Sequence, residues 1–271
     1  MQHKSICFIG GGNMAQAMVF GLLNKGYPAN LITVCDRNES KRKLFAEQGV
    51  NVVTESIKAA EQAQVVVLAV KPQGAAETCA TLSAVNFSDK LVVSIMAAIS
   101  TQRLTALLPT ATNIVRVMPN TPSLVSEGMA GLFAQPTVPV ELKWFAENLL
   151  NAVGKTCWVE TEDDMHIVTA ASSSSPAYFF LFMESMQNAL LNMGLTAQQA
   201  RELVQQSALG AAKMAVSNSN VELSTLRENV TSKGGTTAAA LSVFNEKNLA
   251  YTVEQAMQAC VARSKEMEKL F

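Results

Sequence analysis

The sequence predicts an α/β protein with two domains, a doubly wound sheet domain followed by an all-α domain. Up to about Glu162, short β-branched runs alternate with helix-like segments, and several of these runs are continuously apolar. Such runs are typical of strands covered on both faces, as in a parallel sheet. Beyond that point strand-like runs nearly vanish, and Ala, Met, Gln and Leu recur at helical spacing. We therefore predict a sheet domain over residues 1–162 and a helical domain over residues 163–271.

The strands and helices of the sheet domain follow from these runs. Strands are predicted at 5–10, 31–36, 65–70, 91–96 and 113–118, with helices at 13–25, 39–48 and 74–85 between them. Alternation of this kind predicts right-handed crossovers and helices on both faces of the sheet. Two further runs, 128–134 and 156–160, flank a helix around 139–152 and extend the sheet at one edge.

The helical domain contains three long predicted helices, at 177–194, 197–216 and 252–270. The first is apolar all round its first two turns, which predicts burial between neighbouring elements. A helical unit this apolar packs against the first domain or against a second copy of itself. We therefore expect a homo-oligomer.

Composition excludes several classes of protein. The 271 residues are 49% hydrophobic and 16% charged, with a formal net charge of −1 and no long basic run, so nucleic acid and anionic membranes are not expected partners. The five cysteines are scattered without a CxxC pair, as expected of reduced thiols and not of a disulfide framework or a zinc site. The sequence contains no uninterrupted run of about 18 apolar residues, so a membrane span is not expected. We expect a cytoplasmic protein.

A glycine-rich turn joins the first predicted strand to the first predicted helix. Gly10, Gly12 and Ala15 match the pattern G-x-G-x-x-G/A. In a Rossmann-type domain the first glycine permits the tight turn and the second lets the backbone approach a pyrophosphate, while Ala15 keeps the helix close to the sheet. The pattern predicts a dinucleotide site, and an ordinary glycine-rich turn is the alternative.

The end of the second strand bears on the choice of dinucleotide. Asp36 lies where a carboxylate accepts hydrogen bonds from the adenosine ribose, which favours NAD. Arg37, Lys41 and Arg42 form a cluster suited to a 2′-phosphate, which favours NADP if Asp36 turns away to pair with a neighbouring base. We favour NADP(H), with NAD(H) possible. A solvated, charged helix start is the alternative.

Two more loops follow predicted strands at the edge where doubly wound folds bind ligands. "AVKPQ" contains Ala69, Lys71 and Pro72, a rigid turn beside a cation, and "MPNTP" places two prolines around Asn120 and Thr121. Both loops are predicted to shape a nicotinamide pocket, and plain turn chemistry explains each equally well.

The helical domain has two polar loops among its apolar helices. In "SSSSPAY", Ser175 is a good N-cap and Pro176 a natural first helical residue. In "NVTSKGGTT", Gly234 and Gly235 precede two threonines at the start of a helix, where backbone amides form a concavity suited to a carboxylate. For both loops, helix capping alone is the alternative explanation.

In this order and spacing, "FIGGGNMAQA", "AVKPQ", "RVMPNTP", "SSSSPAY" and "NVTSKGGTT" resemble pyrroline-5-carboxylate reductases, over essentially the whole chain. The glycine fingerprint is shared with many dehydrogenases, whereas "MPNTP" and "GGTT" are far more specific. The resemblance implies reduction of 1-pyrroline-5-carboxylate to L-proline by NAD(P)H, the last step of proline synthesis. It also implies a helical domain that dimerises by interlocking, often with dimers assembled into rings.

The resemblance also implies roles for individual residues. The residues expected to contact the cofactor phosphates are Gly10, Gly12, Asn13 and Met14. The residues expected to line the rest of the cofactor cleft are Ser56, Lys71 and Ala97. The residues expected to bind the substrate carboxylate and ring are Asn229, Gly235, Thr236 and Thr237, with Ser174 nearby. The substrate loop is expected to complete the site of the partner subunit.

Two positions depart from the family pattern. Ser173 stands where the family usually has glycine, and Lys233 where it usually has proline. Ser173 adds a side chain in a tight loop, and Lys233 loosens the turn before Gly234. Both put the geometry of the substrate loop in doubt, and Lys233 is expected to compensate by attracting the anionic substrate.

The remaining chemistry agrees with imine reduction. The chain has only His3 and His166, so neither a histidine base nor a metal centre is expected. The Thr237 hydroxyl, or a bound water, is expected to manage the proton. A β-hydroxyacid-type dehydrogenase, which uses a lysine on an interdomain helix, is disfavoured because residues 162–194 contain no lysine. A non-catalytic nucleotide sensor on the same scaffold is the alternative from a different class.

Overall fold

The computed structural model describes residues 3–271, which form two compact units. One unit runs to Ser174 and also contains Cys260–Phe271, and the other is Ser175–Ala259. The chain thus leaves the sheet unit once and returns to it at the C-terminal end. The domain boundary after residue 162 stays a prediction, and residues 163–174 pack with the sheet unit.

The first unit is built on one sheet of eight strands, in the order β3-β2-β1-β4-β5-β6-β7-β8. The strands are β1 Ile6–Ile9, β2 Ile32–Cys35, β3 Asn51–Val53, β4 Val65–Leu68, β5 Leu91–Ser94, β6 Asn113–Met118, β7 Gly128–Ala134 and β8 Gly154–Trp158. All neighbouring strands are parallel except β6 and β7, which are antiparallel. The predicted α/β fold and the extension of the sheet at one edge are confirmed.

Seven α-helices accompany these strands. They are α1 Asn13–Asn24, α2 Glu39–Ala46, α3 Ser56–Gln62, α4 Ala75–Thr81, α5 Thr101–Leu107, α6 Val140–Leu150 and α7 Asp164–Val168. The sequence pattern missed β3, α3, α5 and α7, which are three to seven residues long and too short to show a clear period. The helix predicted at 74–85 ends at Thr81 and is preceded by the 3₁₀ turn Pro72–Gly74.

The two faces of the sheet carry separate hydrophobic cores. Phe8, Val34 and Val67 point to the face covered by α1 and α6, whereas Cys7, Val66 and Val92 point to the face covered by α3, α4 and α5. Alternate residues of one strand thus fill opposite cores, as the two-residue period of a strand requires. Complete burial of a side chain such as Phe8 contributes about 1.5–3 kcal/mol. Helices on both faces make the domain doubly wound.

The second unit is helical, as predicted. It contains α8 Ser175–Asn192, α9 Ala197–Ser217, α10 Leu223–Asn229, α11 Thr236–Glu246 and the first part of α12 Leu249–Glu268. A capping box begins α9, with Thr196 and Gln199 bonding reciprocally. No helix within residues 3–271 meets the length and hydropathy needed to cross a membrane.

The burial predicted for the first of these helices is wrong for the single chain. No residue of α8 is buried, and Phe179 and Phe180 are 67% and 63% exposed. Within Ser175–Ala259, only Ala200 and Val204 are buried. The helical unit therefore leaves most of its apolar surface uncovered, which is typical of a surface that another chain covers.

Candidate functional site

The glycine turn after β1 has the geometry of a phosphate cradle. Gly10 has φ of +105°, and a Cβ there would lie 2.6 Å from the Ala69 carbonyl oxygen, so this position requires glycine. Gly12 precedes α1, makes no side-chain cap, and a Cβ on it would meet nothing within 4 Å. Open space thus faces a helix N-terminus that no side chain caps. These residues fit the pyrophosphate of a dinucleotide.

This turn lies at the point where the strand order reverses. β1 pairs with β2 on one side and β4 on the other, and the Gly10 amide donates to the Cys35 carbonyl over 2.8 Å. Open parallel sheets bind ligands at such a switch point, outside the carboxyl ends of their strands. The topology therefore places the glycine turn where a nucleotide is expected.

Asp36 braces the glycine turn from the end of β2. One carboxylate oxygen accepts from the Gly11 amide over 2.8 Å, and the other accepts from the Asn38 amide over 2.8 Å. Lys41 Nζ lies 3.6 Å from the same carboxylate. Burial raises the pKa of Asp36, but the amides of Asn38 and Gly11 and the charge of Lys41 outweigh it and hold the pKa below its usual value.

The three basic residues near Asp36 have different surroundings. The Arg42 guanidinium donates to the carbonyl oxygens of Asp36 and Arg37, over 2.7 Å and 2.9 Å, and so fixes the loop. Lys41 pairs with Asp36, as the NADP hypothesis requires. Arg37 reaches outward to Glu77 on α4, 3.4 Å away. Arg37 is thus the cation of this cluster that extends from the loop to another element.

A cavity of about 280 Å³ brings several predicted cofactor residues together. Gly10, Asp36, Arg37 and Ser56 line it, and Glu77, Thr78 and Thr81 of α4 form another wall. A larger cavity of about 730 Å³ lies along β3 and α3 and does not include the glycine turn. The smaller cavity is the candidate for the adenosine end of a dinucleotide, because it combines the turn with the polar ends of β2 and α3.

Other predicted cofactor residues lie along the same edge of the sheet without lining that cavity: Asn13, Met14, Ala69, Lys71, Pro72 and Ala97. Ala69 follows β4 and packs against Gly10, while Lys71 is exposed before the 3₁₀ turn. Ala97 follows β5 and precedes Ala98, whose φ of 60° is unusual for a non-glycine residue. Strain of this kind costs about 1–3 kcal/mol and is frequent at functional sites. The sequence does not reveal it.

The loop "MPNTP" is held against the serine loop. Asn120 is buried, and its side chain accepts from the Met129 amide over 2.8 Å and donates to the Ser172 carbonyl over 3.2 Å. Ser172 Oγ returns a hydrogen bond of 2.7 Å to the Met129 carbonyl. The "MPNTP" loop and the serine loop therefore form one hydrogen-bonded layer in the first unit.

The departure at position 173 has a structural explanation. Residues Thr169–Ser173 form a π-helical turn, in which Ser173 Oγ donates to the Pro119 carbonyl over 2.8 Å. The added side chain is thus accommodated and joins the two loops by a further bond. Ser174 follows, and its hydroxyl accepts from the Cys260 thiol over 3.3 Å.

In the helical unit, the predicted substrate loop precedes α11. Gly234 has φ of +72°, which favours glycine, and a Cβ on Gly235 would lie 2.3 Å from Ser232 Oγ and 3.2 Å from the Ser232 carbonyl oxygen, so the turn is tight at this position. Gly235 provides no side-chain cap, and Thr236 and Thr237, the first two residues of α11, are exposed. Asn229 ends α10 and is also exposed. This helix start can receive a small carboxylate.

Sequence reasoning missed a buried polar cluster that attaches the end of α12 to the sheet. Arg116 on β6 is 4% exposed and pairs with Glu162 over 2.9 Å and with Glu268 over 2.8 Å. His166 is buried, and its two ring nitrogens lie 2.8 Å from Ser264 Oγ and 3.2 Å from Glu268. These residues hold secondary structures together, and none of them lines the nucleotide cavity.

No group of three or more His, Cys, Asp and Glu side chains in the described part of the chain has an arrangement that could hold a metal ion. Cys7, Cys35 and Cys79 are buried free thiols. Burial raises the pKa of Cys7 to about 12 and that of Cys79 to about 11, so both remain protonated at neutral pH.

Comparison with known proteins agrees with this geometry. A family profile described as NADP oxidoreductase, coenzyme F420-dependent, matches residues 5–98, which contain the glycine turn and the cavity. The sheet, the cradle and this match define a nicotinamide-dependent oxidoreductase. A second profile, described as pyrroline-5-carboxylate reductase dimerisation, matches residues 162–267.

Individual relatives identify the family. The pyrroline-5-carboxylate reductase of Pasteurella multocida (strain Pm70) is 63% identical, with 100% of both chains covered. A solved structure of that enzyme from Coxiella burnetii has a TM-score of 0.93 at 41% identity, covering 98% of this chain and 99% of the other. A Plasmodium falciparum pyrroline carboxylate reductase, solved with NADP bound, has a TM-score of 0.85 at 29% identity, with 99% of both chains covered. The chain belongs to the pyrroline-5-carboxylate reductase family.

Proposed function

We propose that the chain reduces the ring imine of 1-pyrroline-5-carboxylate to L-proline with NAD(P)H, the last step of proline biosynthesis. The observation that carries this proposal is family membership over the full length of the chain, at 63% identity to a named reductase. Two local structures agree with it, namely the cradle after β1 for an anionic cofactor and the exposed start of α11 for a small carboxylate.

The residues of the sheet unit are proposed to bind and orient the cofactor. The α1 amides behind Gly12 and Asn13 receive the phosphates, and Met14, Ser56, Lys71 and Ala97 extend the cleft. NAD(P)H, when bound, supplies the hydride. Positioning is the main task of the protein, because a protonated imine is already electrophilic.

NADP(H) is the proposed preference, with NAD(H) possible. Both carboxylate oxygens of Asp36 already accept hydrogen bonds from backbone amides, so the main role of this side chain in the structure is to brace the glycine turn. A 2′-phosphate then has Arg37 at the rim of the cavity and Lys41 beside Asp36. Arginine is well suited to this contact, because its planar fork matches phosphate oxygens.

The start of α11 is proposed to hold the substrate. Backbone amides at Gly235, Thr236 and Thr237 point along the helix axis toward its N-terminus, where the helix dipole favours a carboxylate. Asn229 and Ser174 are proposed substrate contacts from the family resemblance. The Thr237 hydroxyl is proposed to hydrogen-bond the ring nitrogen and hold its proton while the ring carbon is reduced. Lys233, exposed beside this turn, adds a positive charge.

The helical unit is proposed to form a homodimer, in which this loop serves the site of the partner subunit. The exposed apolar side chains of α8 support dimerisation, because a lone chain would leave them in water. A cytoplasmic location also stays a proposal, and the buried free thiols agree with it.

The test is an assay of purified protein with racemic pyrroline-5-carboxylate and NADPH. We expect loss of NADPH absorbance and formation of one equivalent of proline, quantified by chromatography. A hydroxy acid with NADP⁺ serves as the control for dehydrogenase chemistry. Oxidation of the hydroxy acid without reduction of the imine would contradict the proposal, and nucleotide binding without either reaction would indicate a sensor.

A further inference from the structure

The candidate adenosine cavity has side chains of opposite charge on two of its walls. Arg37 enters from the loop after β2, and Glu77 enters from the first turn of α4. Arg37 Nη1 and Glu77 Oε1 lie 3.4 Å apart, and the side chains are 89% and 72% exposed. The ion pair therefore joins two elements at the solvent-facing rim of the cavity.

The neighbouring basic residues, Lys41 and Arg42, lie on α2 and have their partners in the loop after β2. Arg42 donates to the Asp36 and Arg37 carbonyls, and Lys41 pairs with Asp36. Arg37 is held by a side chain from outside the loop, and an exposed ion pair of this kind is weak. It can exchange Glu77 for a stronger acceptor without disturbing the fold of the loop.

We propose that Glu77 lowers the selectivity for NADP(H) over NAD(H) by competing with the 2′-phosphate of NADP(H) for Arg37. NADP(H) must displace the Glu77 carboxylate to engage the guanidinium, whereas NAD(H) has no 2′-phosphate and leaves the pair closed. Glu77 thus lowers the advantage of NADP(H) over NAD(H). This inference rests on the proposed nucleotide site, and it does not depend on the identity of the imine substrate.

The size of the effect follows from the exposure of the pair. Exposed ion pairs contribute up to about 1 kcal/mol, so removing the competitor should tighten NADP⁺ binding by about fivefold. NAD⁺ binding should change by less than about twofold, because the pair need not open for it. Added salt should shrink the effect, since the Debye length is about 3 Å at 1 M ionic strength.

The experiment is calorimetric titration of the full-length protein with NADP⁺, NAD⁺, 2′,5′-ADP and 5′-AMP. Glu77→Gln removes the charge and keeps the size of the side chain. Glu47→Gln is the matched control, because Glu47 pairs with Lys43 over 4.0 Å on α2, is similarly exposed and does not line the cavity. The ratio of kcat/KM for NADPH to that for NADH provides a second readout.

The inference predicts that Glu77→Gln tightens NADP⁺ and 2′,5′-ADP binding by about fivefold and leaves NAD⁺ and 5′-AMP unchanged. In an Arg37→Gln background the gain should fall below about twofold, because the contested group is gone. Equal shifts for all four nucleotides, no shift for any, or a gain that persists without Arg37 would overturn it. If the selectivity shifts but pyrroline-5-carboxylate is not reduced, the proposed reaction fails and the inference stands.

Discussion

Substituting alanine for Gly12 separates nucleotide binding from folding. Gly12 is the N-cap of α1, with φ of −72° and ψ of 177°, a conformation open to any residue. A Cβ at this position meets nothing within 4 Å. The folded chain can therefore accept the methyl group, which would occupy the space proposed for a phosphate.

The magnitudes follow from these two facts. Replacing an N-cap glycine by alanine costs about 0.5 kcal/mol of stability, since the backbone conformation is kept and only N-cap preference is lost. A displaced pyrophosphate loses charge-assisted hydrogen bonds worth about 1.5–3 kcal/mol each. Loss of one such bond corresponds to weakening of NADP⁺ binding by about 10- to 150-fold.

The assay pairs urea denaturation with calorimetric titration of NADP⁺. Gly26→Ala is a useful control, because Gly26 has φ of +83° but lies outside the glycine turn. It should lose about 1–2 kcal/mol of stability and keep nucleotide affinity, which is the reverse of the Gly12 pattern. If Gly12→Ala binds NADP⁺ as tightly as the wild type, the phosphate cradle has been assigned wrongly.

Three further predictions concern stability, pH and the reaction. Glu268→Ala should lower the free energy of unfolding by about 2 kcal/mol in a urea titration, because the buried Arg116 loses one of its two carboxylate partners. The control Glu266→Ala, on the exposed side of α12, should lower it by less than about 1 kcal/mol. Because the pKa of Asp36 is lowered in the folded chain, the ionised carboxylate contributes to the free energy of unfolding at neutral pH, and this contribution is lost as pH falls through that pKa. The difference in free energy of unfolding between wild type and Asp36→Asn should therefore shrink below about pH 4. A difference that stays constant with pH would refute this. Thr237→Ala should lower kcat by about 100-fold while Thr237→Ser retains most of it, and equal rates for the two variants would exclude a role for the hydroxyl.

Much of the fold and of the candidate site could be predicted from short stretches of sequence. The glycine turn could be predicted because Gly10 and Gly12 occupy fixed positions between a strand and a helix, and the structure shows a steric need for Gly10. The turn before Thr236 was equally visible, since Gly234 and Gly235 both meet conformational or steric limits there. In both places the information lies within a few consecutive residues.

Features that depend on distant contacts could not be predicted. Arg116 and Glu268 are far apart in the chain, and nothing in either segment indicates that they pair. The bond from Ser173 to the Pro119 carbonyl also joins separate loops, so the departure from glycine looked disruptive from the sequence alone. Similarly, the apolar pattern of α8 indicates that its side chains are buried, but it does not indicate whether they pack against the same chain or against another chain.

Hydride transfer to the ring imine is tested most directly by isotope labelling. Stereospecifically deuterated NADPH, labelled at the transferable position, is incubated with the protein and unlabelled pyrroline-5-carboxylate, and proline is analysed by NMR. We predict one deuterium on the ring carbon that was double-bonded to nitrogen, with none on the carbon that bears the carboxylate. Proline without deuterium from either labelled form of NADPH, or no proline at all, would contradict direct reduction of the imine by this chain.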